Sequence, residues 1–207
     1  MTEPAHRPDR SRALLDPSAL ERAWVKGTVA GDEAAFEAIF RRYNRELLRF
    51  ARSMSGSSDD AEDAVQGVFV AVWQNRDRWK LTGTLRVYLF SAVRKKILEQ
   101  LRTSRTKRRL HADVLHFTTS SSPETSLGPD GQVHHRELSR AVSVAIAALP
   151  PRCREAFMLT RHYGMTYEEA AATMGISPNT VMVQIGRALA ALRKTLAPFL
   201  LALLSLK

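Results

Sequence analysis

Along most of the chain apolar residues return every three or four positions, and no alternation of apolar and polar residues runs long enough to build a sheet. That pattern predicts an all-α fold. The first clear stripe follows Gly31-Asp32, with Asp32 as N-cap and Phe36, Ile39, Phe40, Tyr43, Leu47, Phe50 and Met54 on one face. Ser55-Gly56-Ser57-Ser58 reads as a turn. Asp59 and Glu62 then have capping-box spacing for a second helix that buries Ala61, Val65, Val68, Phe69, Val72 and Trp73. A polar loop from Asn75 to Gly83 leads to Thr84, which can cap a third helix carrying Leu85, Leu89, Val93, Ile97 and Leu101 at four-residue intervals. Such stripes pack as one three- to four-helix bundle.

From His111 to Val133 the periodicity gives way to Thr118-Thr119-Ser120-Ser121-Ser122-Pro123 and Gly128-Pro129-Asp130-Gly131, a linker composition. A flexible segment of that length has an end-to-end distance of roughly 25 Å, so the two halves could lie well apart. Helical spacing resumes with Leu138, Val142, Ala145, Ile146 and Leu149. Pro150-Pro151 ends that helix, and Ala156, Phe157 and Leu159 belong to the next. The expected division is a disordered basic arm over 1–20, a helical domain over 21–110, a linker over 111–134, a second helical domain over 135–197 and an apolar tail over 198–207.

The second domain carries the sharpest local signal. Thr166 and Glu169 form a capping box, Ala170, Ala171 and Met174 a short helix, and Gly175 a turn residue able to take positive φ. Ser177 then caps another helix with Pro178 at its first position, where a missing N–H costs nothing. Val181, Ile185, Ala188, Leu189 and Leu192 turn inward, which predicts Ser177, Asn179, Thr180, Met182, Val183, Gln184 and Arg187 on the outer face of a helix-turn-helix. Asn and Gln can read adenine, Thr180 and Val183 can touch a thymine methyl, and Arg187 with Arg193 and Lys194 can meet phosphate. A plain helical hairpin with a polar surface is the simpler alternative.

Composition sharpens this picture. The 207 residues carry 31 Lys and Arg against 21 Asp and Glu, a net charge of +10 that fits a polyanionic partner. Between Ser91 and Leu110 stand Arg94, Lys95, Lys96, Arg102, Arg105, Lys107, Arg108 and Arg109 against only Glu99. This run follows a loop and helix bearing Trp73, Arg78, Trp79, Lys80, Arg86, Tyr88 and Phe90, and cations beside rings are what single-stranded DNA binding uses. Core packing is the competing reading for Trp73 and Tyr88, while Trp79 in its polar loop is expected outside. Asp59, Asp60, Glu62 and Asp63 gather at one helix start, where stabilising the helix dipole and docking a partner are equally good explanations.

Other classes are excluded. The single cysteine, Cys153, can make no internal disulfide and reads as a small buried residue in a reducing, cytoplasmic setting. Arg7, Arg10 and Arg12 precede no apolar signal region, and the apolar run Leu196 to Leu206 is too short to span a bilayer. No phosphate loop, metal-ligand cluster or nucleophile elbow is present, and His134-His135 and His162 lack partners for catalysis, so neither enzyme nor cofactor is expected.

Two stretches resemble a known family. Asp60-Ala61-Glu62-Asp63-Ala64-Val65-Gln66-Gly67-Val68-Phe69, then Val72-Trp73 and Leu85-Arg86-Val87-Tyr88-Leu89-Phe90, resemble region 2 of the extracytoplasmic-function (ECF) sigma factors of bacterial RNA polymerase. Leu149-Pro150-Pro151-Arg152-Cys153-Arg154-Glu155-Ala156-Phe157, Tyr167-Glu168-Glu169-Ala170-Ala171 and Gly175-Ile176-Ser177-Pro178-Asn179-Thr180-Val181 resemble region 4. The resemblance implies that Asp60, Glu62, Asp63, Gln66 and Phe69 dock on the clamp helices of the polymerase β′ subunit. It implies that Arg78, Trp79, Lys80, Arg86, Arg94, Lys95, Lys96 and Arg102 melt and hold the minus-ten element. The helix-turn-helix would read the minus-thirty-five element and touch the β flap. Core polymerase, promoter DNA and an anti-sigma factor are the partners implied, with a monomer when free. Gly67, Lys95 and Glu99 depart from the family's usual Glu, Asn and Asp, and Met182 and Gln184 stand where basic residues are common. The rival reading is a dimeric helix-turn-helix regulator of a palindromic operator, which leaves the basic, aromatic third helix without a role.

Overall fold

The computed structural model describes the backbone of residues 17–110 and 132–205 and the side chains of residues 18–103 and 140–197. Most of the expected basic arm and linker lie outside the described residues. Among the described residues eight α-helices follow in order: α1 Pro17–Val29, α2 Glu33–Ser55, α3 Ser58–Gln74, α4 Leu85–Leu110, α5 Gln132–Ala147, α6 Pro151–Phe157, α7 Tyr167–Met174 and α8 Pro178–Ser205. A short 3-10 turn, Arg76–Arg78, follows α3, and a π turn, Met158–His162, extends α6. The described residues are all-α, as the periodicity predicts.

Helices α2, α3 and α4 bury their stripes against one another: Ile39, Tyr43, Leu47 and Phe50 meet Val65, Val68 and Phe69, and Leu85, Leu89, Val93 and Ile97 close the third side. Asp32 caps α2 by accepting from the Ala34 N–H at 2.9 Å, and Gly56 ends it at φ +72°. The cap of α3 differs from the expected Asp59–Glu62 pair. Ser57, already extended, accepts from the Asp60 N–H, so the helix starts earlier and Glu62 is released to pair with Arg52 of α2 at 2.8 Å.

Helix α1 makes a fourth member of the expected three- to four-helix bundle. The expected arm reaches residue 20, yet the helix begins at Pro17 and lays Trp24, Val25 and the fully buried Thr28 against the core. Its approach to α2 is so close that a Cβ on Gly27 would lie 2.7 Å from the Ala35 Cβ. Glu21 of α1 accepts a hydrogen bond from the buried Tyr43 hydroxyl.

In the second half, α5 and α6 pack on α8 around Ala145, Leu149, Cys153, Ala188 and Leu192. Helix α5 starts at Gln132, inside the span expected as linker, and α8 runs on through Pro198 to Ser205 rather than ending there. Proline in a helix interior removes one hydrogen-bond donor, which a long helix can absorb. The two halves also meet. Leu159, Tyr163, Met165, Ala170 and Met174 join Phe50 and Phe90 in one continuous apolar core, so α4 is covered on one side by α7 and the π turn.

Candidate nucleic-acid and polymerase interfaces

The helix-turn-helix forms from local chemistry. Thr166 Oγ1 accepts from the Glu169 N–H at 3.1 Å while a Glu169 carboxylate oxygen accepts from the Thr166 N–H at 3.0 Å, the complete capping box. Gly175 takes φ +65°, a conformation that strains any residue with a Cβ, and the chain reverses there. Ser177 Oγ accepts from the Thr180 N–H and opens α8 with Pro178 in its first turn. Val181, Ile185, Ala188 and Leu192 are buried, which leaves Ser177, Asn179, Thr180, Met182, Val183 and Arg187 exposed. Gln184 departs from the expected outer face. Half-buried, it accepts a hydrogen bond from the Cys153 thiol at 3.1 Å, tying α8 to α6.

In the first domain the loop after α3 folds back on α4. The Trp79 and Tyr88 rings lie 5.4 Å apart and, with Ala71, Val72, Asn75, Arg78 and Lys80, line a pocket open to solvent. Trp79 is half-buried rather than outside, and its Nε1–H has no partner among the described residues. Arg78 and Lys80 are exposed at the rim. Beneath the loop, Arg76 covers the Trp73 ring at 4.4 Å and Trp73 packs on Phe36, so Trp73 is structural.

The basic residues of α4 divide between two faces. Lys95, Lys96 and Arg102 are exposed, with Lys96 running beside Gly67 of α3. Arg86, Phe90 and Arg94 recur at four-residue intervals along the face that meets the second domain. There Arg86 donates to the Tyr163 carbonyl and lies 3.6 Å from Glu46. Arg94 donates to Glu155, which is 5% exposed and also lies 3.7 Å from Arg152. Burial pushes the Glu155 carboxyl above the usual carboxylate range, opposed by the charges of Arg94 and Arg152. Arg86 and Arg94 are therefore not presented to solvent as the sequence suggests. Arginine beside apolar positions is as much at home against a carboxylate as against phosphate, and the spacing alone does not separate the two.

On α3 the exposed residues are Asp59, Glu62, Asp63 and Gln66, with Asp60 half-buried. Phe69 corrects the expected docking set: 3% exposed, it sits among Phe36 and Phe40 at ring distances of 6.1 and 4.9 Å. One turn beyond Gln66 the outer face instead carries Val70, 45% exposed, which sequence reasoning missed although its spacing from Gln66 is helical. No described helix is long and apolar enough to cross a membrane.

Residues 39–107 match the family model for sigma-70 region 2, and residues 139–192 match that for sigma-70, region 4. The RNA polymerase sigma factor NccH of Alcaligenes xylosoxydans xylosoxydans is 30% identical over 180 residues, covering 86% of this chain and 95% of that one. The ECF RNA polymerase sigma factor SigE of Mycolicibacterium smegmatis is 29% identical over 170 residues, 81% of this chain and 65% of SigE. Among solved structures, the sigma factor RpoE in complex with the anti-sigma factor NepR from Bartonella quintana matches with a TM-score of 0.65. That match is 26% identical and covers 78% of this chain and 96% of RpoE.

Proposed function

Since the chain belongs to the sigma-70 family as an ECF-type sigma factor, which binds core RNA polymerase and directs promoter recognition and initiation, we propose how its surfaces divide that work. The exposed stripe of α3, Asp59, Glu62, Asp63 and Gln66 with Val70 at its end, docks on the β′ clamp helices. Acidic residues give orientation and Val70 an apolar contact. Asn179, Thr180, Met182, Val183 and Arg187 enter the major groove of the upstream element, with Ser177 at the helix start facing phosphate. Cys153 and Gln184 hold that helix at its angle.

The observation that carries the reading is the pocket between Trp79 and Tyr88, open to solvent and rimmed by Arg78 and Lys80. A base turned out of the duplex can stack on these rings, while Arg78, Lys80, Lys95, Lys96 and Arg102 follow the backbone. Strand separation needs no catalysis, only a state that holds the unstacked base better than the duplex does. As NepR assembles with RpoE, an anti-sigma factor is the partner that holds this chain inactive. It acts in the cytoplasm and is a monomer when free. The match of the first half to region 2 supports a role for the basic, aromatic third helix that the rival dimeric regulator does not supply.

The test is in vitro transcription with core polymerase on templates carrying randomised promoters. Defined start sites with two recurring upstream elements are expected, and Trp79→Ala should abolish strand opening while leaving core binding intact. Start sites that do not depend on the added protein would overturn the proposal.

A further inference from the structure

The opening turns of α8 present a face unlike the basic surfaces elsewhere, for no charged residue stands between Pro178 and Gly186. Asn179, Met182, Val183, Gly186 and Arg187 follow the three- and four-residue spacing that sets them on one side of a helix, and each is exposed. Met182 is 54% and Val183 48% exposed. Of the neighbouring polar groups, the Thr180 hydroxyl is hydrogen-bonded to Ser177 Oγ at 2.8 Å and Gln184 accepts from the Cys153 thiol, so the middle of the face is apolar. Gly186 supplies a second, independent observation. It lies inside α8 without a positive φ, and a Cβ added to it would meet nothing within 4 Å among the described residues. Neither a turn nor internal packing calls for glycine there, although glycine weakens a helix interior relative to alanine. The close approach that its missing Cβ permits is therefore to something outside the chain.

We propose that Met182, Val183 and Gly186 form an uncharged seat that reads the 5-methyl groups of thymines at the centre of the upstream promoter element. The inference rests on the proposed placing of α8 in the major groove and deepens it by naming the base that the helix selects. From Asn179 to Arg187 the helix covers about 12 Å, the rise of roughly three to four base pairs. In the major groove thymine alone offers a methyl group, while the other base edges there are marked by donors and acceptors. A G·C pair pressed against Met182 and Val183 loses water from its amine and carbonyl and gains no partner, whereas an A·T pair sets a methyl against them. Without a Cβ at position 186 the helix backbone sinks toward the groove floor, which brings both apolar side chains within reach of those methyls. Asn179 and Arg187, at the two ends of the face, supply the polar contacts to adenine and phosphate.

The test uses holoenzyme assembled from core polymerase and the full chain, on the promoter that the randomised templates select. Thymines of the upstream element are replaced by deoxyuridine, which removes the 5-methyl and keeps every hydrogen-bonding group. Affinity of the parent is expected to fall about fourfold for each methyl that the seat holds, the factor for one buried carbon. No cation takes part, so that factor should be the same at low and high salt. Met182→Ala combined with Val183→Ala should bind the thymine promoter more weakly and lose most of its response to deoxyuridine, with core affinity as in the parent. Gly186→Ala separates folding from reading: its Tm should rise because the added Cβ meets open space, while its affinity for the thymine promoter falls about fourfold or more. An upstream element without thymine, a parent indifferent to deoxyuridine, or Gly186→Ala binding as tightly as the parent would sink the seat and leave the sigma-factor surfaces standing. Variants that lose core affinity yet keep the full response to deoxyuridine would also sink it, and would assign the face to a protein. If the parent selects no upstream element at all, the placing of α8 in the groove falls and the seat falls with it.

Discussion

Phe69→Ala separates a core role from a docking role at one position. The ring is 3% exposed and meets Phe36 and Phe40 edge-on at 6.1 and 4.9 Å. Truncating a buried phenylalanine costs about 3–5 kcal/mol from lost transfer energy and the residual cavity, with each edge contact accounting for roughly 0.5–1.5 kcal/mol beyond area. About 4 kcal/mol, the middle of that range, is the working figure at this site. For a domain near 100 residues each kcal/mol lowers Tm by about 4–8 °C, so a fall of roughly 16 °C or more is expected. The assay is thermal unfolding followed by circular dichroism, beside core-polymerase binding measured well below the transition. Gln66→Ala serves as the opposite case, with Tm unchanged and core affinity reduced. The reasoning fails if Phe69→Ala melts within a few degrees of the parent yet loses core binding, for then the ring is a docking residue after all.

Further outcomes follow from other sites. Gly67 is an interior residue of α3 whose added Cβ would meet only the flexible Lys96 Cε at 3.6 Å, so Gly67→Ala should raise stability by about 0.4–1 kcal/mol in urea unfolding. Lys95→Ala with Lys96→Ala should flatten the salt dependence of promoter binding by roughly 1.4 in log–log slope, and an unchanged slope would place both residues away from the strand. Burial raises the phenol pKa of both Tyr43 and Tyr163, with the Glu21 carboxylate adding to the effect at Tyr43. A raised pKa means that the folded state resists ionisation, so its stabilising contribution is complete below about pH 10 and is lost as pH rises beyond that. Absorbance at alkaline pH should then show these two phenols ionising only as circular dichroism reports unfolding, with Tyr43→Phe and Tyr163→Phe each removing part of the late signal.

Much of the fold was legible because its helices bury bulky residues at regular spacing. The stripe Leu85, Leu89, Val93 and Ile97 names a buried face without ambiguity, and Thr166, Glu169, Gly175 and Ser177 specify a turn through backbone chemistry alone. No stripe was read for helix α1, whose Gly27 lacks the Cβ that would block its approach to Ala35. Leu20, half exposed, blurs any stripe there. At the sites the limit is different in kind. Gln184 and Asn179 are equally polar, but Gln184 stands three residues after Val181 and four before Ala188, at the edge of the buried stripe where the Cys153 thiol meets it. Likewise Arg86 and Arg94 carry the same charge toward Glu155 as they would toward phosphate, so a sequence that fixes their spacing leaves their partner open.

The hydrogen bond from Cys153 to Gln184 divides the reading surface into what can drift and what cannot. Asn179, Met182, Val183 and Arg187 are exposed on α8, so under the proposed role substitutions there would change base preference without disturbing how the protein folds. Position 184 has no such liberty, for a new side chain there must also suit the thiol beneath it. Change at the proposed reading surface should therefore run through these four exposed positions, while position 184 stays tied to Cys153.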